Sequence, residues 1–282
     1  MKRRWYWLVA GLFVLAMAVL GANTVRHRLG LVVYQHTPAE QRARLAEYWR
    51  MVPPETPLSE AGAIVLSGCD GVRDNMDFWA GFLSDREHDA LILDSHSPRG
   101  LDDFETWRLL CVGQVLPGAQ RAGDLAVALA ETSRDDMLLL GASHGGWTVL
   151  EFLRQALTEE LPPGLSEWPA APQQLLARVG AAVVLYPYCG ALNGAAEGDW
   201  SMMPPVLMVI AAEDELGLTE DCVAMAEALQ DRGATVETPV YEGAGHGFDQ
   251  KERAAFSVLE YRPDLRARAA ADVAGFLERH GL

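Results

Sequence analysis

Cationic side chains and cysteine are both scarce in this chain: 23 Lys plus Arg stand against 39 Asp plus Glu over 282 residues, and only four residues are cysteine. The resulting formal charge of −16 repels phosphate backbones, which makes nucleic acid a poor partner. Four cysteines are too few for a disulfide-built scaffold, and they lie too far apart for zinc held by paired C-x-x-C ligands. Internal repeats and low-complexity tracts are missing too. With 50% hydrophobic and 22% charged residues, the composition is the reverse of a disordered one. What remains is one large globular domain or two small ones.

Long apolar runs are also rare, and the one present opens the chain. Lys2, Arg3 and Arg4 precede an almost unbroken apolar stretch from Trp5 to Ala22, followed by Arg26 and Arg28. Its length is near the roughly 20 residues a bilayer requires, and Trp5, Tyr6 and Trp7 suit an interfacial belt. Residues 1–30 therefore read as an uncleaved signal-anchor and transmembrane helix. A cleaved signal peptide is the alternative, but Val19-Leu20-Gly21 and Leu20-Gly21-Ala22 meet the small-residue requirement only loosely. The basic N-terminal cluster favours a cytoplasmic N-terminus, with the rest of the chain in the periplasm, or secreted if the segment is removed.

Residues 31–60 read as a short helix and a Pro-rich linker: Thr37-Pro38-Ala39-Glu40 is a capping box opening a helix to about Arg50, and Pro53, Pro54 and Pro57 follow. From 61 to 282 short apolar runs alternate with amphipathic stretches, the pattern of a mostly parallel sheet with crossover helices on both faces. Expected strands are Ala63 to Ser67, Ala90 to Asp94, Met137 to Ala142, Ala181 to Tyr186, Val206 to Ala211 and Val236 to Tyr241. The clearest helices are Phe78 to Ser84, Ala119 to Glu131, Gly145 to Leu157, Glu220 to Arg232 and Asp264 to Arg279. Residues 161–173, rich in proline and small side chains, read as a surface excursion near the site.

Chemistry gathers at the strand ends. Gly141-Ala142-Ser143-His144-Gly145 is G-x-S-x-G between a strand and a helix, where a sharp turn exposes the serine and glycines let neighbouring chain pass closely. Ser143 reads as a nucleophile, with the backbone N–H of His144 aimed at a developing oxyanion. Of seven histidines, His246 in Gly243-Ala244-Gly245-His246-Gly247-Phe248 follows the last strand and is best placed as base. Between them Ala212-Glu213-Asp214-Glu215 leaves a strand end; Asp214 is the preferred acid, with Glu213 and Glu215 as competitors. A second oxyanion donor is expected from Ser67-Gly68-Cys69-Asp70-Gly71, at the Cys69 N–H, unless that loop is only a glycine-rich turn. After the next strand, Arg99 shares a rim with His96; it either binds a substrate carboxylate or bridges to Asp94, Asp102 or Asp103.

These segments, together with Asp94 to Gly100 and Tyr186-Pro187-Tyr188-Cys189, resemble the dienelactone hydrolase branch of the α/β-hydrolases over residues 61 to 280. The resemblance implies an α/β-hydrolase fold with a sheet of about six to eight strands. It also implies no metal or organic cofactor, and a small-molecule ester or lactone substrate. The founding members carry a cysteine nucleophile and a glutamate in the oxyanion loop, whereas this chain has Ser143 and no acid at 67–69. What is implied is thus a general carboxylic ester hydrolase.

Cys69 and Cys111 follow consecutive strands, as do Cys189 and Cys222, so each pair is expected to meet at the carboxyl edge as a disulfide in an oxidising compartment. Four small buried thiols are the alternative. Two other functions stay open: an inactive membrane-tethered binding module, and a peptidase or acyltransferase sharing the acyl-enzyme.

Overall fold

Period-two alternation within the short apolar runs sorts the core into two layers, one on each face of a central sheet. The computed structural model describes residues 2–28, 34–101, 106–111, 113–253, 257 and 259–282. Within β2 (Ala63–Leu66), Ile64 and Leu66 join one layer while Ala63 and Val65 join the other. The same division runs through β4 (Met137–Ala142), β5 (Val179–Leu185) and β6 (Val206–Ala211), whose residues are nearly all buried.

Five helices placed by their apolar faces cover the sheet. The first layer is closed by α4 (Gly118–Ala130), α5 (His144–Thr158) and α7 (Thr219–Asp231), the second by α3 (Asp74–Ser84) and α8 (Pro263–His280). Helix α1 (Lys2–Arg28) stands outside this core; none of its stretch Arg4–Asn23 is buried, and it is long and apolar enough to cross a membrane.

The strand order is β1 (Trp49–Val52), β3 (Ala90–Leu93), β2, β4, β5, β6, β7 (Val236–Glu237), with β8 (Val240–Tyr241) also paired to β6. The pairs β2–β3, β2–β4, β4–β5, β5–β6, β6–β7 and β6–β8 all run parallel. The chain moves outward from β2 to β3 and then returns to the far side of β2 for β4. This reversal opens a crevice beyond the carboxyl ends of β2 and β4, the usual place for a ligand in such sheets.

Three details differ from the sequence expectation. The Thr37 capping box does start α2 (Pro38–Leu45), with the Glu40 N–H donating to Thr37 Oγ1 at 3.3 Å. That helix, however, ends before Arg50. Residues 49–52 instead form β1 (Trp49–Val52), antiparallel to β3, until Pro53 stops it. The expected strand over 236–241 is two short pieces, β7 (Val236–Glu237) and β8 (Val240–Tyr241), because Pro239 between them has no N–H to give the ladder. Residues 161–173 do not border Ser143. Leu165 lies beside His36 in an isolated bridge, and from Pro172 the chain enters α6 (Pro172–Ala177).

Candidate active site

The strand-to-helix turn from β4 into α5 explains its own glycines. A Cβ on Gly141 would sit 2.3 Å from the Gly145 carbonyl oxygen, and one on Gly145 would sit 2.3 Å from the Leu66 carbonyl oxygen. Only hydrogen fits at either place. Between them Ser143 takes φ 52°, ψ −114°, a strained conformation for a side chain with a Cβ, and its hydroxyl stands at the head of α5.

Ser143 Oγ lies 2.7 Å from His246 Nε2, and His246 Nδ1 lies 2.8 Å from Asp214 Oδ2. A carboxylate only accepts, so Nδ1 carries the ring proton and Nε2 offers its lone pair to the serine hydroxyl. The competing acids are separated by geometry. Glu215 accepts the backbone N–H of His246 at 2.7 Å rather than meeting the ring, while the Glu213 N–H donates to the Ala244 carbonyl. A chain of this kind can draw the proton from a hydroxyl as it attacks an acyl carbon.

The loop after β2 packs against the serine: a Cβ on Gly68 would be 3.6 Å from Ser143 Cβ. The Cys69 N–H has no acceptor among the described residues, and the His144 N–H is at the first position of α5, where the helix supplies none. Both are free to meet an oxyanion. The His144 ring is buried and does not face the serine. Its Nε2–H donates to the Leu116 carbonyl at 3.0 Å, and burial holds its pKa down at about 3, so it stays neutral.

Both cysteine pairs are bonded, Cys69 to Cys111 and Cys189 to Cys222, each with Cα atoms 5.1 Å apart. The first ties the Cys69 loop to the stretch carrying Leu110 and Gly113, which walls the cavity above Ser143. Cys111→Ser is expected to cost about 2–5 kcal/mol of stability, and to lower turnover by freeing the Cys69 N–H. Calorimetry beside esterase kinetics checks this; unchanged melting and rate would refute it.

The cavity has a volume of about 230 Å³ and is lined by Leu110, Trp147, Tyr188, Leu192, Leu216 and Leu218 besides the site residues. No charged side chain is among its described walls. Arg99 is elsewhere, so its reading as a ligand for a substrate carboxylate is corrected. Its guanidinium grips Asp124 in two bonds of 2.9 and 3.0 Å and borders a separate cavity beside His36. The bridge is structural, and its partner is 25 residues away on α4. Of the carboxylates expected near it, Asp94 instead accepts the backbone N–H groups of His96 and Ser97; Asp102 and Asp103 lie outside the described residues. His96 is buried, not on a rim.

Sequence reasoning passed over two supports of His246. Asp249 is fully buried and accepts hydrogen bonds from the Tyr186 hydroxyl and from Trp79 Nε1 at 2.6 Å. Burial pushes the Asp249 carboxyl pKa up and the Tyr186 hydroxyl well above its ordinary value. The Tyr186 ring in turn meets the His246 ring edge-on, centroids 5.0 Å apart. Asp70 accepts from Gln250 Nε2 at 2.6 Å and joins the two loops that flank the serine. An acid three residues beyond a glycine-flanked histidine was the available signal for Asp249.

Residues 168–281 match the model of the Dienelactone hydrolase family, a span holding Asp214 and His246. The fold is that of the α/β-hydrolases, and the resemblance is to their dienelactone hydrolase branch. Among solved structures the chain is similar to esterase 2 of Thermogutta terrifontis phosphonylated by cyclosarin. That likeness has 15% identity and a TM-score of 0.57, and covers 83% of this chain and 89% of that one. The native esterase from the same planctomycete gives 16% identity, a TM-score of 0.56, and coverage of 80% and 84%. No curated protein matches the chain in sequence.

Proposed function

We propose that this α/β-hydrolase is a serine hydrolase that cleaves uncharged carboxylic esters or lactones through an acyl-enzyme. The observation that carries the reading is the unbroken Ser143, His246, Asp214 relay opening into an apolar cavity beside two free backbone N–H groups. Ser143 Oγ attacks the acyl carbon while His246 Nε2 takes its proton. Asp214 keeps the imidazole in the right tautomer and stabilises the imidazolium. Charge developing on the carbonyl oxygen falls between the N–H groups of Cys69 and His144. His246 returns the proton to the departing alkoxide. Water then enters by the same steps in reverse and frees the acid and Ser143.

The apolar walls suit an aliphatic or aromatic acyl group, and the described walls hold no cation to pair with a substrate carboxylate. The N-terminal helix is assigned as an uncleaved anchor holding the hydrolase at the periplasmic face of the inner membrane.

One experiment tests the whole reading. Membranes from cells producing the full chain, washed at alkaline pH, are assayed with p-nitrophenyl butyrate beside membranes carrying Ser143→Ala. Turnover in the washed pellet, reduced by about three orders of magnitude or more in the variant, is the expected result. Equal hydrolysis by both removes Ser143 as nucleophile, and release of the activity into the wash removes the anchor.

A further inference from the structure

The first turn of α4 puts an arginine where no carboxylate meets it. Arg121 is fully buried, and its bonds go to uncharged acceptors: Nη1 donates to the Ser67 carbonyl at 2.7 Å and to His144 Nδ1 at 3.2 Å, and Nη2 to Ser67 Oγ at 3.2 Å. Its Nε has no partner among the described residues. Asp124 and Asp94 act on it only at longer range, and Asp124 is already held by Arg99. Burial draws its pKa down to about 10, which still leaves the guanidinium charged at neutral pH.

A buried cation without an ion pair is costly and needs an account. The two segments it joins supply one. Ser67 belongs to the loop that presents the Cys69 N–H, and His144 is the residue whose N–H follows Ser143. The His144 ring, neutral and with Nε2–H fixed on Leu116, offers Nδ1 as the acceptor that completes the bridge. One rigid planar fork thus spans the two walls of the expected oxyanion pocket, in a dry, low-dielectric setting.

We propose that Arg121 is the positioning residue of the oxyanion pocket: it sets the spacing of the Cys69 and His144 N–H groups and places behind them a positive charge whose counter-charge arises only in the tetrahedral intermediate. This rests on the reading of Ser143 as nucleophile. Charge that appears only after attack makes the interaction stronger in the transition state than in the ground state, so its loss falls on kcat and not on KM.

The full-length chain in detergent tests this with Arg121→Met and Arg121→Lys, Ser143→Ala being measured in parallel. Three quantities are read for each: kcat and KM for p-nitrophenyl butyrate, the inhibition constant of an alkyl trifluoromethyl ketone, and the melting temperature. The ketone adds Ser143 Oγ to its carbonyl, His246 takes the proton, and the adduct leaves a full oxyanion in the pocket. Arg121→Met is expected to lower kcat by about 10- to 100-fold with KM within about twofold, and to weaken the ketone by a matching factor. Arg121→Lys, which keeps the charge and loses the fork, should recover part of both losses. Should the methionine variant fail to fold, the lysine variant carries the test alone, with kcat and ketone affinity falling together. A folded variant with kcat and ketone affinity unchanged overturns the proposal. So does a kcat loss with ketone affinity intact, which would mark Arg121 as mere packing. Full activity in Ser143→Ala would instead sink the underlying nucleophile assignment, whatever the arginine variants do.

Discussion

Asp214→Asn is expected to lower kcat for ester hydrolysis by roughly three to four orders of magnitude while leaving KM and the fold nearly untouched. The cause is a change of tautomer. Asp214 Oδ2 can only accept from His246 Nδ1 at 2.8 Å, which leaves Nε2 unprotonated toward Ser143 at 2.7 Å. An asparagine amide can present its N–H to Nδ1, which moves the ring proton to Nε2 and removes the base from the serine. Glu215→Gln is the matched control. Among the described residues its carboxylate accepts only the His246 backbone N–H, a role a glutamine oxygen can keep, so its loss should be within about tenfold. Steady-state kinetics on both variants decide the matter; equal losses would mean that the acid had been assigned to the wrong residue.

Gly145→Ala should be a severely damaging small substitution. The added carbon would lie 2.3 Å from the Leu66 carbonyl oxygen and 2.8 Å from that of Ser67, both backbone atoms with no rotamer to yield. Either the head of α5 or the loop after β2 must move, and the loop carries the Cys69 N–H. Such overpacking costs about 1–3 kcal/mol or more, which at this chain length lowers Tm by roughly 2–4 °C per kcal/mol. Because the displaced loop is also the proposed oxyanion wall, turnover should fall by orders of magnitude in whatever protein remains folded. Calorimetry and p-nitrophenyl butyrate hydrolysis check the two effects, and a fully active, equally stable variant would refute the close approach.

The parts of this site that can be read from residues are those with a local steric or order constraint. Gly141 and Gly145 are legible because no other residue clears the passing backbone. Ser143, Asp214 and His246 stand out because each follows a strand, in an order that suits one sheet edge. Other parts depend on long-range packing and leave no such trace. Arg121 sits on an amphipathic helix, where an arginine normally reads as a solvent-facing charge, and only the tertiary structure reveals that it is wholly buried. Arg99 was ambiguous for the same reason: its partner, Asp124, lies on a different element. Strand β1, four residues long and close behind a capping box, has too short a pattern to compete with the helix signal before it.

Strand β1 covers an edge of the sheet. Residues 90–93 are buried, with β2 on one side; without a neighbour on the other, their backbone donors and acceptors would be a template for another chain. Trp49–Val52 occupies the position, and charge guards it further: Arg50 points outward in an ion pair of 2.5 Å with Asp77. A protease cutting between 53 and 61, in the proline-rich stretch, would leave the serine, the histidine and every core helix in place. What it would release is the strand that keeps this edge of the sheet from recruiting a copy of the chain.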